Sequence, residues 1–151
     1  MAGMFSIEGD SGGGEDRLKR FQWTARAVSW ADAVGPRLAD VIRSTAPVAP
    51  VEGGRLRDAT RYQRVTAVGS VRLEFHADDV PYVPFVLYPT REHDIRPRAA
   101  LALHWQPPGG MDQFARVVHH PGTRGNDYPA RAYKAMRSDI TQAFKDAFED
   151  L

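Results

Sequence analysis

The run Val117-Val118-His119-His120-Pro121-Gly122-Thr123-Arg124-Gly125-Asn126 places a junction between two kinds of structure. The valine pair favours a strand. Pro121-Gly122 then stops regular structure and sets a tight turn. Beyond it, Tyr128 to Leu151 has helical periodicity: Ala132, Met136, Ile140, Ala143, Phe144, Ala147, Phe148 and Leu151 share one face, and Pro129 suits a first helical turn. A chain that changes its period from two to 3.6 across the eight residues His120 to Asp127 must join a sheet to a helix there.

The same logic applied upstream gives the rest of the order. Leu18, Phe21, Ala25 and Val28 recur at helical spacing after Glu15-Asp16, whose carboxylates suit a helix N-terminus. Gly35-Pro36 interrupts, and Leu38, Val41 and Ile42 resume the stripe to Ser44. This predicts either one long helix kinked at Pro36 or two consecutive helices, ended by Pro47 and Pro50. Arg64 to Ala77 reads as a hairpin turning at Gly69-Ser70, with Val71, Leu73, Phe75 and Ala77 alternating against Arg72, Glu74 and His76. Tyr82 to Tyr88 reads as an edge or irregular strand because of Pro81 and Pro84. Leu101, Leu103 and Trp105 form another strand. Gln106 to Gly110 is a loop, and Phe114 to His119 is its antiparallel partner. The expectation is an α+β domain over 15–151: a long N-terminal helix, an antiparallel sheet of four to five strands, and a C-terminal helix packed on that sheet. Residues 1–14, with Gly9, Gly12, Gly13 and Gly14, read as a flexible arm.

Composition narrows the function classes. With 151 residues the chain can bury a real core, and a net charge of +1 gives no global field for nucleic acid or membrane. Charge is uneven: Arg55 to Arg137 holds 13 Lys/Arg against 8 Asp/Glu, whereas Ser138 to Leu151 holds four acids and one lysine. There is no cysteine, which removes disulfides, thiolate metal sites and thiol nucleophiles together. No apolar run reaches a membrane span, and no basic segment leads into a hydrophobic one as a secretion signal would.

Three kinds of chemistry compete with a purely structural role. His104, His119 and His120 offer imidazoles for a metal, but neighbours on a strand point to opposite faces, and neither HExxH nor a strand His-x-His is present. At this turn His120 is otherwise expected to pack or hydrogen-bond. Catalysis lacks a Gly-x-Ser-x-Gly elbow. His93 and Asp94 diverge as sequence neighbours, and Glu92 with Asp94 sits in a Pro/Arg-rich loop of solvated charge. Gly12-Gly13-Gly14 lacks the strand and the Lys-Ser/Thr of a phosphate loop, as Gly53-Gly54 lacks its context. Arg55, Arg57, Arg61 and Arg64 form a basic cluster, either a solvated face or a surface for DNA phosphates. The residues alone therefore leave three readings: a structural domain, a histidine-based metal-binding domain or enzyme, and a small non-specific DNA-binding module. No catalytic, cofactor or metal residue is assigned.

The order of motifs resembles the tail-completion or neck proteins of long-tailed bacteriophages, over most of residues 15–150. Ala46-Pro47-Val48 followed by Gly54-Arg55-Leu56-Arg57-Asp58 is similar to that family's passage from first helix to first strand. Tyr82-Val83-Pro84-Phe85-Val86 and Thr90-Arg91-Glu92-His93-Asp94-Ile95-Arg96-Pro97 are similar to its next two motifs. Ala100-Leu101 to Trp105 matches a strand, and His120-Pro121-Gly122-Thr123, with Asn126 and Ala132, matches its turn into the closing helix. Gly53 stands where the family has threonine or serine. Tyr88-Pro89 replaces its glycine-containing turn, so the local backbone there must differ. The resemblance implies a non-enzymatic virion protein without cofactor, assembled in the host cytoplasm into a ring, expected sixfold, around the DNA channel. Its implied partners are further copies of itself, the head connector or stopper, the tail terminator or tube, and the viral DNA, with no membrane. Gly54, Arg55, Leu56, Thr90, Pro97, His120, Pro121, Gly122 and Thr123 are then candidate assembly or turn residues. Arg55, Arg57, Arg61 and Arg64 are candidates for facing DNA in the lumen.

Overall fold

The computed structural model describes residues 5–10, 17–48 and 53–149. In chain order the elements are β1 (Phe5–Asp10), α1 (Arg17–Thr45), α2 (Arg55–Ala59), β2 (Arg61–Ala67), β3 (Ser70–His76), α3 (Val83–Leu87), β4 (His93–Ile95), β5 (Leu103–Trp105), β6 (Gln113–Ala115), β7 (Val118–His120) and α4 (Tyr128–Phe148). The fold is mixed α+β with a long N-terminal helix, antiparallel strands and a C-terminal helix. Among the described residues no helix is long and apolar enough to cross a membrane.

Contacts divide the chain into two units: Met1–Val83 with Asp127–Leu151, and Pro84–Asn126, where one domain is expected over 15–151. In the first unit α1 is the middle layer. It is one helix of 29 residues that runs through Pro36, settling the choice between a broken and a continuous helix. Proline there removes the bond to the Asp32 carbonyl, a cost of about 3 kcal/mol in an isolated helix. Packing on two sides offsets it. Toward α4, Trp30 Nε1 donates to the Ile140 carbonyl at 3.3 Å and its ring meets Phe144 edge-on at 5.8 Å. Trp23 packs on Phe148, Arg26 donates to the Ala147 carbonyl, and Arg37 pairs with Asp139 at 2.8 Å. Toward the sheet, Thr24 Oγ1 accepts from Gly69 N, Asp32 pairs with Arg64, and Arg43 Nε donates to the Thr60 carbonyl.

Burial on two faces moves the buried stripe from where apolar spacing alone puts it. Ala27, Trp30, Ala31, Val34, Leu38, Ala39 and Ile42 are buried, whereas Phe21 is 71% exposed, Ala25 is exposed and Val28 and Val41 are half-buried. The C-terminal helix corrects a second expectation: it packs on α1, not on the sheet. Its buried residues Ala132, Met136 and Ile140 are those of the expected face, and Ala143, Phe144, Ala147 and Phe148 are half-buried. Asp127 accepts from Ala130 N as its cap, and Pro129 occupies the first turn. Tyr128 is fully buried, and burial pushes its hydroxyl up to about 12.

The expected four- to five-stranded sheet divides into smaller ones. The main sheet has three antiparallel strands in the order β1-β3-β2, with β4·β7 and β5·β6 as separate two-stranded ribbons. β3 is central, and Val71, Leu73 and Phe75 are fully buried, as alternation predicts. The hairpin turns at Val68-Gly69, one residue before the expected place, with Gly69 at φ 82. β1 lies within the segment read as an arm: Phe5-Ser6-Ile7-Glu8 alternates, and Glu8 pairs with Arg72 at 3.0 Å. The rest of 1–14 lies outside the described residues. Tyr82 to Tyr88 holds the short helix α3 instead of a strand. Pro84 sits in its first turn, where no amide hydrogen is needed, and its carbonyl accepts from Tyr88 N at 2.9 Å.

Gly35 is where the sheet meets α1. A Cβ there would lie 2.6 Å from Tyr62 Cε2 and 3.2 Å from Leu73 Cδ2. Alanine is favoured over glycine by about 1 kcal/mol in a helix, yet overpacking a filled site costs about 1–3 kcal/mol. We expect Gly35→Ala to lower the thermal midpoint, and to raise it in a Tyr62→Ala background, measured by circular dichroism. Tyr128 gives a pH signature. Its folded value lies above the unfolded value of about 10, so stability is unaffected below that range and falls as pH rises through 10 to 12. In Tyr128→Phe, urea midpoints across that window are expected to lose this component of the decline.

Candidate assembly site

The second unit is held by a clasp between two segments far apart in sequence. The Thr90 and Thr123 amides donate to each other's carbonyls at 3.0 and 3.2 Å, and their hydroxyls lie 2.9 Å apart. Thr123 N also donates to Thr90 Oγ1 at 2.9 Å. Below the bridge, β4 pairs antiparallel with β7, matching His93 with His120, Asp94 with His119 and Ile95 with Val118. Above it, Asn126 N donates to the Val86 carbonyl of α3 at 2.8 Å.

Two glycines permit this approach. Gly122 has φ 81, which L side chains resist, and a Cβ on it would lie 2.4 Å from the Thr90 carbonyl oxygen. A Cβ on Gly125 would lie 2.5 Å from the Leu87 carbonyl oxygen. Obstruction by backbone cannot be relieved by a rotamer change, so both positions require glycine. Gly122 N donates to His120 Nδ1 at 3.1 Å, so His120 hydrogen-bonds at the turn and stacks at 5.0 Å on the ring of His93.

This geometry corrects the pairing expected for Phe114 to His119. Phe114 does pair with the Leu103–Trp105 strand, but Val118 to His120 leaves that ribbon and pairs with β4. The three histidines considered for a metal are thereby divided. His104 stacks on Phe114 at 4.7 Å and pairs with Asp112, whereas His119 and His120 belong to the β4–β7 ribbon. Among the described residues no group of three or more His, Asp or Glu is placed to hold a metal ion.

His119 and Asp94 form a cross-strand pair, Nδ1 to Oδ1, at 3.2 Å, with Glu92 at 4.0 Å from Nε2. The hydrogen bond from His119, followed by that from Arg96, holds the Asp94 carboxyl below its ordinary range. Asp94 finds its partner across the ribbon and not in its sequence neighbour His93. The pair is exposed, and the Thr90 and Thr123 hydroxyls engage each other. The pair links the two three-residue strands across the ribbon, its members opposite each other in register.

The remaining candidates lie apart from the clasp. Pro97 follows β4 by two residues and is half-buried. Pro121 is exposed in the turn beside Gly122. Gly54 caps α2 at φ 114, and Leu56 fills the core of the first unit. Each arginine of the basic cluster has a partner within the chain. Arg55 donates to the Asp79 carbonyl, Arg57 to the Arg43 carbonyl at the end of α1, Arg61 to the Asp58 and Thr60 carbonyls, and Arg64 pairs with Asp32.

A different property of the second unit could not be read from spacing. None of its residues from 84 to 126 is buried. Leu101 is 95% exposed and Met111 86%, and Phe85, Tyr88, Trp105, Phe114 and Val117 are exposed as well. Two-stranded ribbons in water are marginal without an apolar face to rest on.

Gly122→Val is expected to cost more than about 2 kcal/mol, from φ strain plus the backbone clash. It should also remove hydrogen-exchange protection at Thr90 and Thr123. His119→Ala should cost under about 0.5 kcal/mol, as an exposed substitution. An NMR titration of that variant should show the Asp94 carboxyl shifted upward toward the ordinary range. Compared with protein-family models, curated proteins and solved structures, the chain matches none.

Proposed function

We propose that this chain is a structural subunit of the neck of a long-tailed bacteriophage. It forms a ring, expected sixfold, around the DNA channel, and joins the tail tube or its terminator to the head connector. It carries no catalytic step and no cofactor. The observation that carries the reading is the unit at 84–126: it has no buried residue, yet it displays Leu101, Met111 and Phe114 to solvent. Apolar surface on this scale within so small a unit is what a docking element presents before its neighbours cover it. The motifs that resemble the neck family support the same reading. Thr90 of one and Thr123 of another are direct partners in the clasp, so the resemblance falls on residues that share one structural task.

The basic cluster has a smaller part in this proposal than its sequence suggests. With each guanidinium engaged inside the chain, contact with DNA in the lumen falls to the hydrogens those bonds leave over, and it reads phosphates without sequence. The chain belongs to the virion after assembly in the host cytoplasm. Cryo-electron microscopy of the particle, with the chain marked by a fused tag, is expected to place it on the axis at the head–tail junction. Density anywhere else removes the proposal.

A further inference from the structure

The β5–β6 ribbon pairs Leu103 with Ala115, His104 with Phe114 and Trp105 with Gln113. Leu101 and Met111 lie just outside its ends, both almost wholly exposed. Arg116 follows β6 directly, and Arg98 lies on the approach to β5. Neither makes an ion pair among the described residues. The segment 84–126 carries five arginines against three acids.

A complementary surface exists elsewhere on the same chain. The last two turns of α4 form an open groove lined by Gln142, Phe144, Lys145, Asp146, Phe148 and Glu149. Phe144 and Phe148 stack at 4.5 Å and remain half-exposed along it. Asp146 and Glu149 outweigh Lys145, so its rim is net negative.

We infer that the β5–β6 ribbon of one copy seats in the Phe144–Phe148 groove of a second copy, with Arg98 and Arg116 facing Asp146 and Glu149. The inference rests on the ring proposed above and names its contact. An apolar, basic ribbon and an apolar, acidic groove match each other, not themselves. The contact is therefore heterologous, and repeating it leads to closure or to a filament. Complementary charge fixes the register of the ribbon in the groove.

The absence of cysteine makes a clean test available. One batch of full-length protein carries Met111→Cys, another Gln142→Cys, and each is treated with a short bismaleimide alone and in a 1:1 mixture. The mixture is expected to yield at least tenfold more cross-linked dimer than either batch alone. Adding Asp146→Arg and Glu149→Arg to the Gln142→Cys copy should abolish that excess. Adding Arg98→Glu and Arg116→Glu to the Met111→Cys copy should then restore it. Circular dichroism melting confirms that each variant folds; all six positions carry exposed side chains. Equal yields in the mixture and in the single batches overturn the inference. So does a Met111→Cys thiol that becomes protected in the particle without linking to Gln142→Cys, which would make a different neck protein the occupant. If rings form without the cross-link, the ring proposal stands and this contact falls. If the cross-link forms but the chain lies off the neck axis in the particle, the contact stands and the neck assignment falls.

Discussion

Everything in the first unit depends on α1 being covered on two sides. One helix presents the indoles of Trp23 and Trp30 to the phenyl rings of α4 and Gly35 to the sheet. The absence of a side chain at Gly35 lets Tyr62 and Leu73 reach the helix surface. A helix used this way has little tolerance for a break. That accounts for Pro36 lying inside a continuous helix: the packing on both faces outweighs one missing hydrogen bond.

The second unit is organised on a different principle. It has no buried side chain, and it holds its shape through backbone hydrogen bonds across a narrow clasp where two glycines admit neighbouring carbonyls. Packing fixes the first unit, whereas hydrogen-bond registry fixes the second. A segment built in this way leaves its apolar side chains exposed to solvent.

Legibility from sequence follows that division. α4 and β3 were readable because each has one apolar face in register with its period, so the pattern survives folding. The N-terminal half of α1 was misplaced because a helix covered on two sides buries alanines and a tryptophan where a one-sided stripe favours Phe21. Pro81 and Pro84 make Tyr82 to Tyr88 read as an irregular strand because proline is hostile to helix interiors; a first helical turn, where Pro84 sits, tolerates it. β4 was missed because three residues carry no period, and its pairing is decided by the distant turn at Gly122. Of the candidate residues, Thr90, His120, Gly122 and Thr123 do meet at one place. Gly125 carries no sequence signal, since the need for glycine there comes from the Leu87 carbonyl lying against it and not from a positive φ.

The layering also imposes an order on synthesis. The groups that cover one side of Trp30 are Ile140 and Phe144, some hundred residues further along the chain. A ribosome adding roughly 5–20 residues per second needs on the order of 5–20 seconds to supply them. Through that interval the sheet-facing side of α1 can be completed by the early hairpin, while the side facing α4 stays open. The nascent chain thus carries an uncovered tryptophan-bearing helix until α4 emerges, and its period of greatest exposure to misassociation is set by the length of chain that separates α1 from α4.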